Sequence, residues 1–135
     1  MSLFLDTSFL IAIHTAKDEH HSDAIAIKER IKNGEFGQCY FSEYIFDEFV
    51  TFLRAKSAST TSITQLGDAL LREEIVRMVS IDTQLFSRAW DFFKKINALS
   101  FTDCTSVVIA KELNIKYIAS FDSDFDRIIG LKRVC

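Results

Sequence analysis

The sequence contains no proline and only four glycines among its 135 residues. This scarcity excludes collagen-like and low-complexity classes and argues against a flexible linker. It also excludes nucleotide-binding enzymes that depend on glycine-rich loops, because neither a GxGxxG nor a GxxxxGK[ST] run occurs.

Cysteine is equally sparse. The three cysteines, Cys39, Cys104 and Cys135, are an odd number, lie far apart and form no CxxC pair. Neither a zinc ribbon nor a disulfide framework fits this pattern. We therefore expect a reducing, cytoplasmic location.

The chain also lacks an excess of positive charge and a long apolar run. Its 16 Lys and Arg residues against 19 Asp and Glu give a net charge of −3, unlike a basic DNA-reading module. The apolar stretch from Leu3 to Ile13 is interrupted by Asp6, and no Lys or Arg precedes it. We expect neither a secretory signal nor a membrane span there, and no membrane partner.

What is present is an apolar fraction of 48%, with 13 Phe, in a chain of ordinary domain length. This composition predicts a single domain over residues 1–135. Short apolar runs alternate with helical periods along it. Strands are expected at 3–5, 38–41, 76–81, 116–121 and 131–134, and helices at 22–32, 42–56, 63–74, 82–96 and 100–113. A turn is expected at 58–62, and a short acidic turn or helix at 122–129. The alternation predicts an α/β domain with a mostly parallel sheet.

Four acidic residues occupy equivalent places in this scheme. Asp6 ends the first strand, Glu48 lies on the helix after the second, Asp103 begins the helix before the fourth, and Asp122 follows the fourth. Ligands bind outside the carboxyl ends of such strands. Each acid also has an ordinary explanation, such as a helix cap for Asp6 or a capping box between Ser100 and Asp103.

Taken together, the acids indicate a cation site. Asp6 is embedded in the apolar stretch LFLDTSFLIAI, where an unpaired buried carboxylate is costly. Carboxylates that converge also raise one another's pKa. A hard divalent cation relieves both effects. Oxygen ligands without His or Cys favour Mg²⁺ or Mn²⁺ over zinc.

Four stretches of the sequence carry a family resemblance that covers nearly the whole chain: LDTSFLIAI, SEYIFDEFVTFLR, LSFTDCTSVVIAKELNIK and YIASFDSDFDRI. With this spacing, the chain resembles the PIN domains, and among them the VapC-type toxin nucleases and their archaeal and bacterial relatives. The resemblance implies a three-layer α/β/α fold whose central parallel sheet of four to five strands has the order 3-2-1-4-5. It also implies hydrolysis of single-stranded RNA with Mg²⁺ or Mn²⁺ as cofactor, leaving 3′-hydroxyl and 5′-phosphate ends.

The resemblance assigns catalytic and metal-ligand roles to Asp6, Glu48 and Asp103 directly. For the fourth acid Asp122 fits best, Asp124 is a further candidate metal ligand, and Asp126 is not excluded. No histidine is placed to act as a general base.

Partners follow from the same resemblance: a single-stranded or structured RNA, a possible antitoxin protein and a second copy in a homodimer. Without the four site acids the chain has 15 acidic and 16 basic residues, so basic side chains such as Arg54 and Lys56 could guide the RNA backbone. A solvated helix end whose cations complement the helix dipole explains these two residues at least as well. An aromatic set exceeds the needs of one helix face, and some of its members should cover the dimer interface, with the monomer core as the alternative for most of them: Phe41, Tyr44, Phe46, Phe49 and Phe52.

Two other classes of enzyme are excluded by the sequence, and two other functions for a PIN-like domain stay open. A haloacid-dehalogenase-like phosphatase needs a second Asp where Ser8 stands, and a receiver domain needs an acidic pair and a late Lys that are not evident. A housekeeping RNA-processing nuclease would share all the site residues with a toxin. A non-catalytic PIN-fold module that binds RNA or protein is a further alternative.

Overall fold

A computed structural model describes all residues from Met1 to Cys135 and contains one five-stranded sheet. Every neighbouring pair of strands is parallel, and their order is β3-β2-β1-β4-β5. The predicted order 3-2-1-4-5 is therefore confirmed. The strands are β1 (Ser2–Leu5), β2 (Gln38–Ser42), β3 (Val76–Val79), β4 (Tyr117–Ala119) and β5 (Lys132–Val134).

Helices connect and flank the strands. They are α1 (Thr7–His14), α2 (His21–Lys32), α3 (Glu43–Ala55), α4 (Thr60–Arg72), α5 (Thr83–Lys95), α6 (Phe101–Glu112) and a 3₁₀ turn at Ser123–Arg127. No helix of the structure combines the length and the apolar character needed to cross a bilayer.

Three local expectations differ from the structure. Helix α1 occupies a stretch for which the sequence pattern predicts no helix. The turn expected at 58–62 is partly wrong, because α4 begins at Thr60, where the Ser59 side chain accepts a hydrogen bond from the Ser62 amide at 3.1 Å. The strands expected at 76–81 and 116–121 are shorter, ending at Val79 and Ala119.

The core lies between the sheet and the helices and consists mainly of phenylalanine and branched side chains. Phe4, Phe9, Phe41, Phe49 and Phe125 are all fully buried there. Of the aromatic residues considered for an interface, Phe41 and Phe49 belong to this core, as the alternative expectation had it.

The register aligns the carboxyl ends of the two central strands. Leu5 of β1 pairs with Ala119 of β4, and the next amide, that of Asp6, donates to the Ala119 carbonyl at 3.1 Å. Asp6 and Ser120 therefore leave the sheet side by side. Segments that are more than a hundred residues apart meet at this edge.

Candidate active site

Asp6 stands between β1 and α1 with only 5% of its surface exposed. It holds the N-cap position of α1 in extended conformation, but its side chain makes no capping hydrogen bond. Its Oδ2 instead accepts hydrogen bonds from the Ser8 hydroxyl at 2.8 Å and the Ser120 hydroxyl at 2.7 Å. The helix-cap explanation of Asp6 therefore fails, and the carboxylate is held by two serines.

The same two serines order the backbone after β4. Ser8 Oγ accepts from the Phe121 amide at 3.0 Å, and Ser120 Oγ accepts from the Asp122 amide at 3.1 Å. The two hydroxyl oxygens are 3.3 Å apart. This network fixes the start of α1 against the segment that carries Asp122.

Glu48 reaches the site from the exposed side of α3. Thr7 Oγ1 donates to Glu48 Oε1 at 2.6 Å. A hydroxyl next to Asp6 in the sequence thus holds a carboxylate that lies 41 residues further along the chain.

Asp103 has two roles at once. Its amide donates to Ser100 Oγ at 3.1 Å and its Oδ2 accepts from the Ser100 amide at 3.2 Å, which completes a capping box at the start of α6. Burial, and then the neighbouring carboxylates of Asp6 and Asp122, raise the pKa of Asp103 to about 6. The capping explanation is therefore right, but it does not replace the site explanation.

The four acids line one open cleft of about 560 Å³. Its lining consists of Asp6, Thr7, Ser8, Ile11, Glu48, Thr51, Phe52, Ala55, Ser100, Asp103 and Asp122. The structure thus brings together the four carboxylates that the sequence singled out, from the ends of β1 and β4 and from α3 and α6.

Asp124 and Asp126 lie outside this lining. The Asp124 carboxylate is 3.6 Å from the Arg127 guanidinium, and its amide donates to Asp122 Oδ1 at 2.9 Å. Both Asp126 oxygens accept from Arg133 at 3.0 Å. The geometry favours Asp122 as the fourth acid, while a ligand role for Asp124 stays a prediction with no geometric support.

The cleft is electrostatically unbalanced. No Lys, Arg or His of the protein forms an ion pair with any of its four acids. Burial raises the pKa of Asp6, the Ser120 and Ser8 hydroxyls lower it, and the charge of Glu48 raises it further. The cluster therefore has uncompensated negative charge that an external cation would neutralise.

The donor chemistry of the cleft fits Mg²⁺ or Mn²⁺, since every candidate ligand is a carboxylate or hydroxyl oxygen. The ligand geometry is not preformed: nowhere in the protein are three or more His, Cys, Asp or Glu side chains arranged so that they could hold a metal ion. One oxygen of Glu48 is engaged by Thr7 and one of Asp103 by Ser100. The carboxylates would have to draw together around a cation that offsets their repulsion.

None of the three histidines lines the cleft. His14 packs against Phe49, and His20 stacks on Phe121 with ring centroids 4.4 Å apart. His21 Nδ1 lies 2.7 Å from the Ala12 carbonyl oxygen. Acid–base chemistry in the cleft therefore depends on carboxylates and water.

Sequence reasoning did not identify Thr7 and Ser8 as site residues. The available signal was two consecutive hydroxyls immediately after a buried Asp. A buried carboxylate needs hydrogen-bond donors, and a Ser or Thr hydroxyl is one.

Comparison with known proteins agrees with this geometry. The family model of the PIN domain matches residues 3–131. The chain belongs to the PIN-domain family.

Two characterised relatives are similar over most of their length. A VapC ribonuclease of Archaeoglobus fulgidus is 28% identical over 128 residues, covering 93% of this chain and 80% of the relative. The 23S rRNA-specific endonuclease VapC20 of Mycobacterium tuberculosis is 25% identical over 125 residues, covering 91% of each chain.

Solved structures share the fold. The crystal structure of Mycobacterium tuberculosis VapC20, described as a toxin that cleaves the sarcin–ricin loop, superposes with a TM-score of 0.79 at 24% identity, covering 92% of each chain. A VapBC2 complex of Rickettsia felis, bound to a DNA fragment from its promoter, gives a TM-score of 0.69 at 14% identity, covering 98% of this chain and 97% of that one.

Proposed function

We propose that this PIN domain is a Mg²⁺- or Mn²⁺-dependent endoribonuclease that hydrolyses phosphodiester bonds of RNA. The observation that carries the proposal is the convergence of Asp6, Glu48, Asp103 and Asp122 in one open cleft with no cation from the protein. The ribonuclease names of the two relatives support RNA as the substrate.

The residues of the cleft divide the work. A bound Mg²⁺ or Mn²⁺ would supply an activated water and stabilise the negative charge that develops on the phosphate. Asp6, fixed by two serines, and Asp103, fixed by its capping box, would hold the cation from the end of β1 and the start of α6. Glu48 and Asp122 would complete its oxygen ligands from α3 and the end of β4. The openness of the cleft admits a polymer strand, as endonucleolytic cleavage requires.

The biological setting we propose is the toxin half of a toxin–antitoxin pair in the cytoplasm. Structural neighbours of the same fold include a VapBC2 complex of Rickettsia felis and a toxin–antitoxin complex of Klebsiella pneumoniae. A housekeeping RNA-processing nuclease would use the same cleft. A short reading frame immediately upstream, encoding a DNA-binding protein with a disordered tail, would separate the two.

We also propose a homodimer, although on different residues from those the sequence suggested. Phe86 and Trp90 of α5 are 46% and 49% exposed. They pack around the ring of Phe101 at centroid distances of 5.2 and 6.2 Å. Exposed aromatic groups gathered in this way are typical of an interface. Equilibrium ultracentrifugation at micromolar protein that gave only the 15.5 kDa species would overturn this proposal.

The chain provides a matched pair of variants for the nuclease test. Glu48 lines the cleft, whereas its neighbour Asp47 is exposed and accepts only a local bond from Thr51 at 3.3 Å. We expect Glu48→Gln to abolish Mn²⁺-dependent cleavage of labelled RNA and Asp47→Asn to leave it unchanged. Equal activity of the two variants, or cleavage that persists in excess EDTA, would contradict the proposed site.

A further inference from the structure

One wall of the cleft is formed by helix α3. Thr51, Phe52 and Ala55 of α3 line it together with Glu48, and their spacing places all four on one helix face. Phe52 lies one turn, roughly 6 Å, along the axis from Glu48. Its ring is only half-buried, so part of it faces the cleft.

A single cation lies against this wall. The Lys56 ammonium is 5.6 Å from the centroid of the Phe52 ring, within the range of a cation–π contact. Lys56 is exposed and forms no ion pair with an acidic residue. The wall thus runs from the Glu48 carboxylate to the Phe52 ring one turn later, and the Lys56 ammonium follows one turn beyond that ring.

Arg54, the other basic residue near this helix end, faces elsewhere. It lines a separate cleft between α3 and α4, together with Thr64 and Asp68. The structure separates the two cations: Arg54 lines the neighbouring cleft, whereas Lys56 lies over the ring of Phe52, which lines the acidic cleft.

We propose that Phe52 and Lys56 form a nucleotide subsite of the acidic cleft for single-stranded RNA. In it, a base stacks on the Phe52 ring and Lys56 binds the phosphate next to the one that is cleaved. This inference rests on the proposed ribonuclease function and names how the substrate strand is held. An aromatic face combined with a cation is the usual means of binding single strands without reading their sequence. The subsite also supplies positive charge that attracts the RNA backbone, whereas the acids repel an approaching RNA until a cation neutralises them.

The test measures RNA binding in the presence of Mg²⁺. Every protein in it carries Asp6→Asn, which disables cleavage. Fluorescence anisotropy of a short labelled single-stranded RNA is followed as a function of salt. We expect Lys56→Gln to lower the slope of log affinity against log salt by about 0.7. Arg54→Gln should leave that slope unchanged. Phe52→Leu should weaken binding on the order of tenfold, and Phe52→Tyr should retain it because it keeps the ring face.

The outcomes separate this inference from the proposed function. If Lys56→Gln and Arg54→Gln change the slope equally, or if neither changes it, the subsite is wrong. If Phe52→Leu and Phe52→Tyr lose affinity in proportion to a lowered melting temperature, Phe52 is a core residue and the stacking role falls. Cleavage by the wild-type chain is measured in parallel. Cleavage without these binding effects overturns the subsite alone, whereas absence of metal-dependent cleavage overturns the nuclease proposal.

Discussion

Ser120 Oγ lies 2.7 Å from Asp6 Oδ2 and donates a hydrogen bond that joins residues 114 positions apart. The same hydroxyl oxygen accepts from the Asp122 amide at 3.1 Å. One small side chain therefore positions two of the four acids, the first through its carboxylate and the second through its backbone.

Ser120→Ala removes both bonds while adding no bulk to a fully buried position. We expect the cleavage rate to fall by roughly 10–100-fold, as for other residues that orient metal ligands. Ser120→Thr keeps the hydroxyl and should retain much more activity. The measurement is the single-turnover rate at saturating Mn²⁺, and equal rates for the Ala and Thr variants would show that the hydroxyl is not what matters.

Thr7 has the corresponding role for Glu48, through its 2.6 Å hydrogen bond. Thr7→Val is nearly isosteric but cannot donate, so Glu48 loses the contact that keeps it in the cleft. We expect a several-fold rise in the Mn²⁺ concentration needed for half-maximal cleavage. Thr7→Ser should behave like the wild type. Unchanged metal dependence in Thr7→Val would mean that Glu48 is positioned by α3 alone.

The raised pKa of Asp103 predicts that the stability of the protein depends on pH. Because its folded-state pKa is raised to about 6 from an ordinary value of 3.8, its favourable contribution is complete below about pH 4 and is lost as pH rises through about 6. Asp103→Asn keeps an oxygen for the capping box but carries no charge. Without divalent metal, we expect this variant to be more stable than the wild type at about pH 8, by about 1 kcal/mol once solvent screening of the half-buried group is discounted.

The check for Asp103 is thermal unfolding in EDTA across the range from about pH 4 to about pH 7, because the stability changes between the ordinary pKa of this carboxyl and its folded-state pKa of about 6. The stability advantage of Asp103→Asn should grow with pH, and added Mg²⁺ should reduce or reverse it by stabilising only the wild type. An advantage that is constant across this range, with or without Mg²⁺, would indicate a packing effect instead.

The three acids after β4 should differ in importance. Asp122 lines the cleft, whereas Asp124 and Asp126 are near Arg127 and Arg133. We expect Asp122→Asn to reduce cleavage most, Asp124→Asn less and Asp126→Asn least. Comparison of the Mn²⁺ titrations of the three variants decides the order. Normal metal dependence in Asp122→Asn together with its loss in Asp124→Asn would move the ligand two residues along the chain.

The sheet order and the meeting of the acids could be anticipated from sequence because both follow from topology. In a parallel sheet the strand ends share one edge, so a residue after β1 and a residue after β4 must approach each other. The capping box of Ser100 and Asp103 was equally readable, since it depends on a local spacing of three residues.

Other features depend on tertiary contacts that no local pattern encodes. α1 is apolar nearly all round, as its sequence Thr7–His14 shows, so it has no helical period to detect. The bond from Thr7 to Glu48 and the different directions of Arg54 and Lys56 exist only once α3 is packed. The sequence could not decide which aromatic residues near α3 belong to the core, because burial of Phe41 and Phe49 depends on elements that lie elsewhere in the sequence.

The central claim is that the four-acid cleft hydrolyses RNA with the help of a divalent cation. Its most direct test is single-turnover cleavage of an end-labelled single-stranded RNA by the wild type and by Asp6→Asn, with Mn²⁺ and with EDTA, followed by analysis of the product ends. We predict internal cleavage that leaves 5′-phosphates, requires Mn²⁺ and is absent in Asp6→Asn. Cleavage by the wild type that persists in EDTA, or equal cleavage by a correctly folded Asp6→Asn protein, would contradict the account.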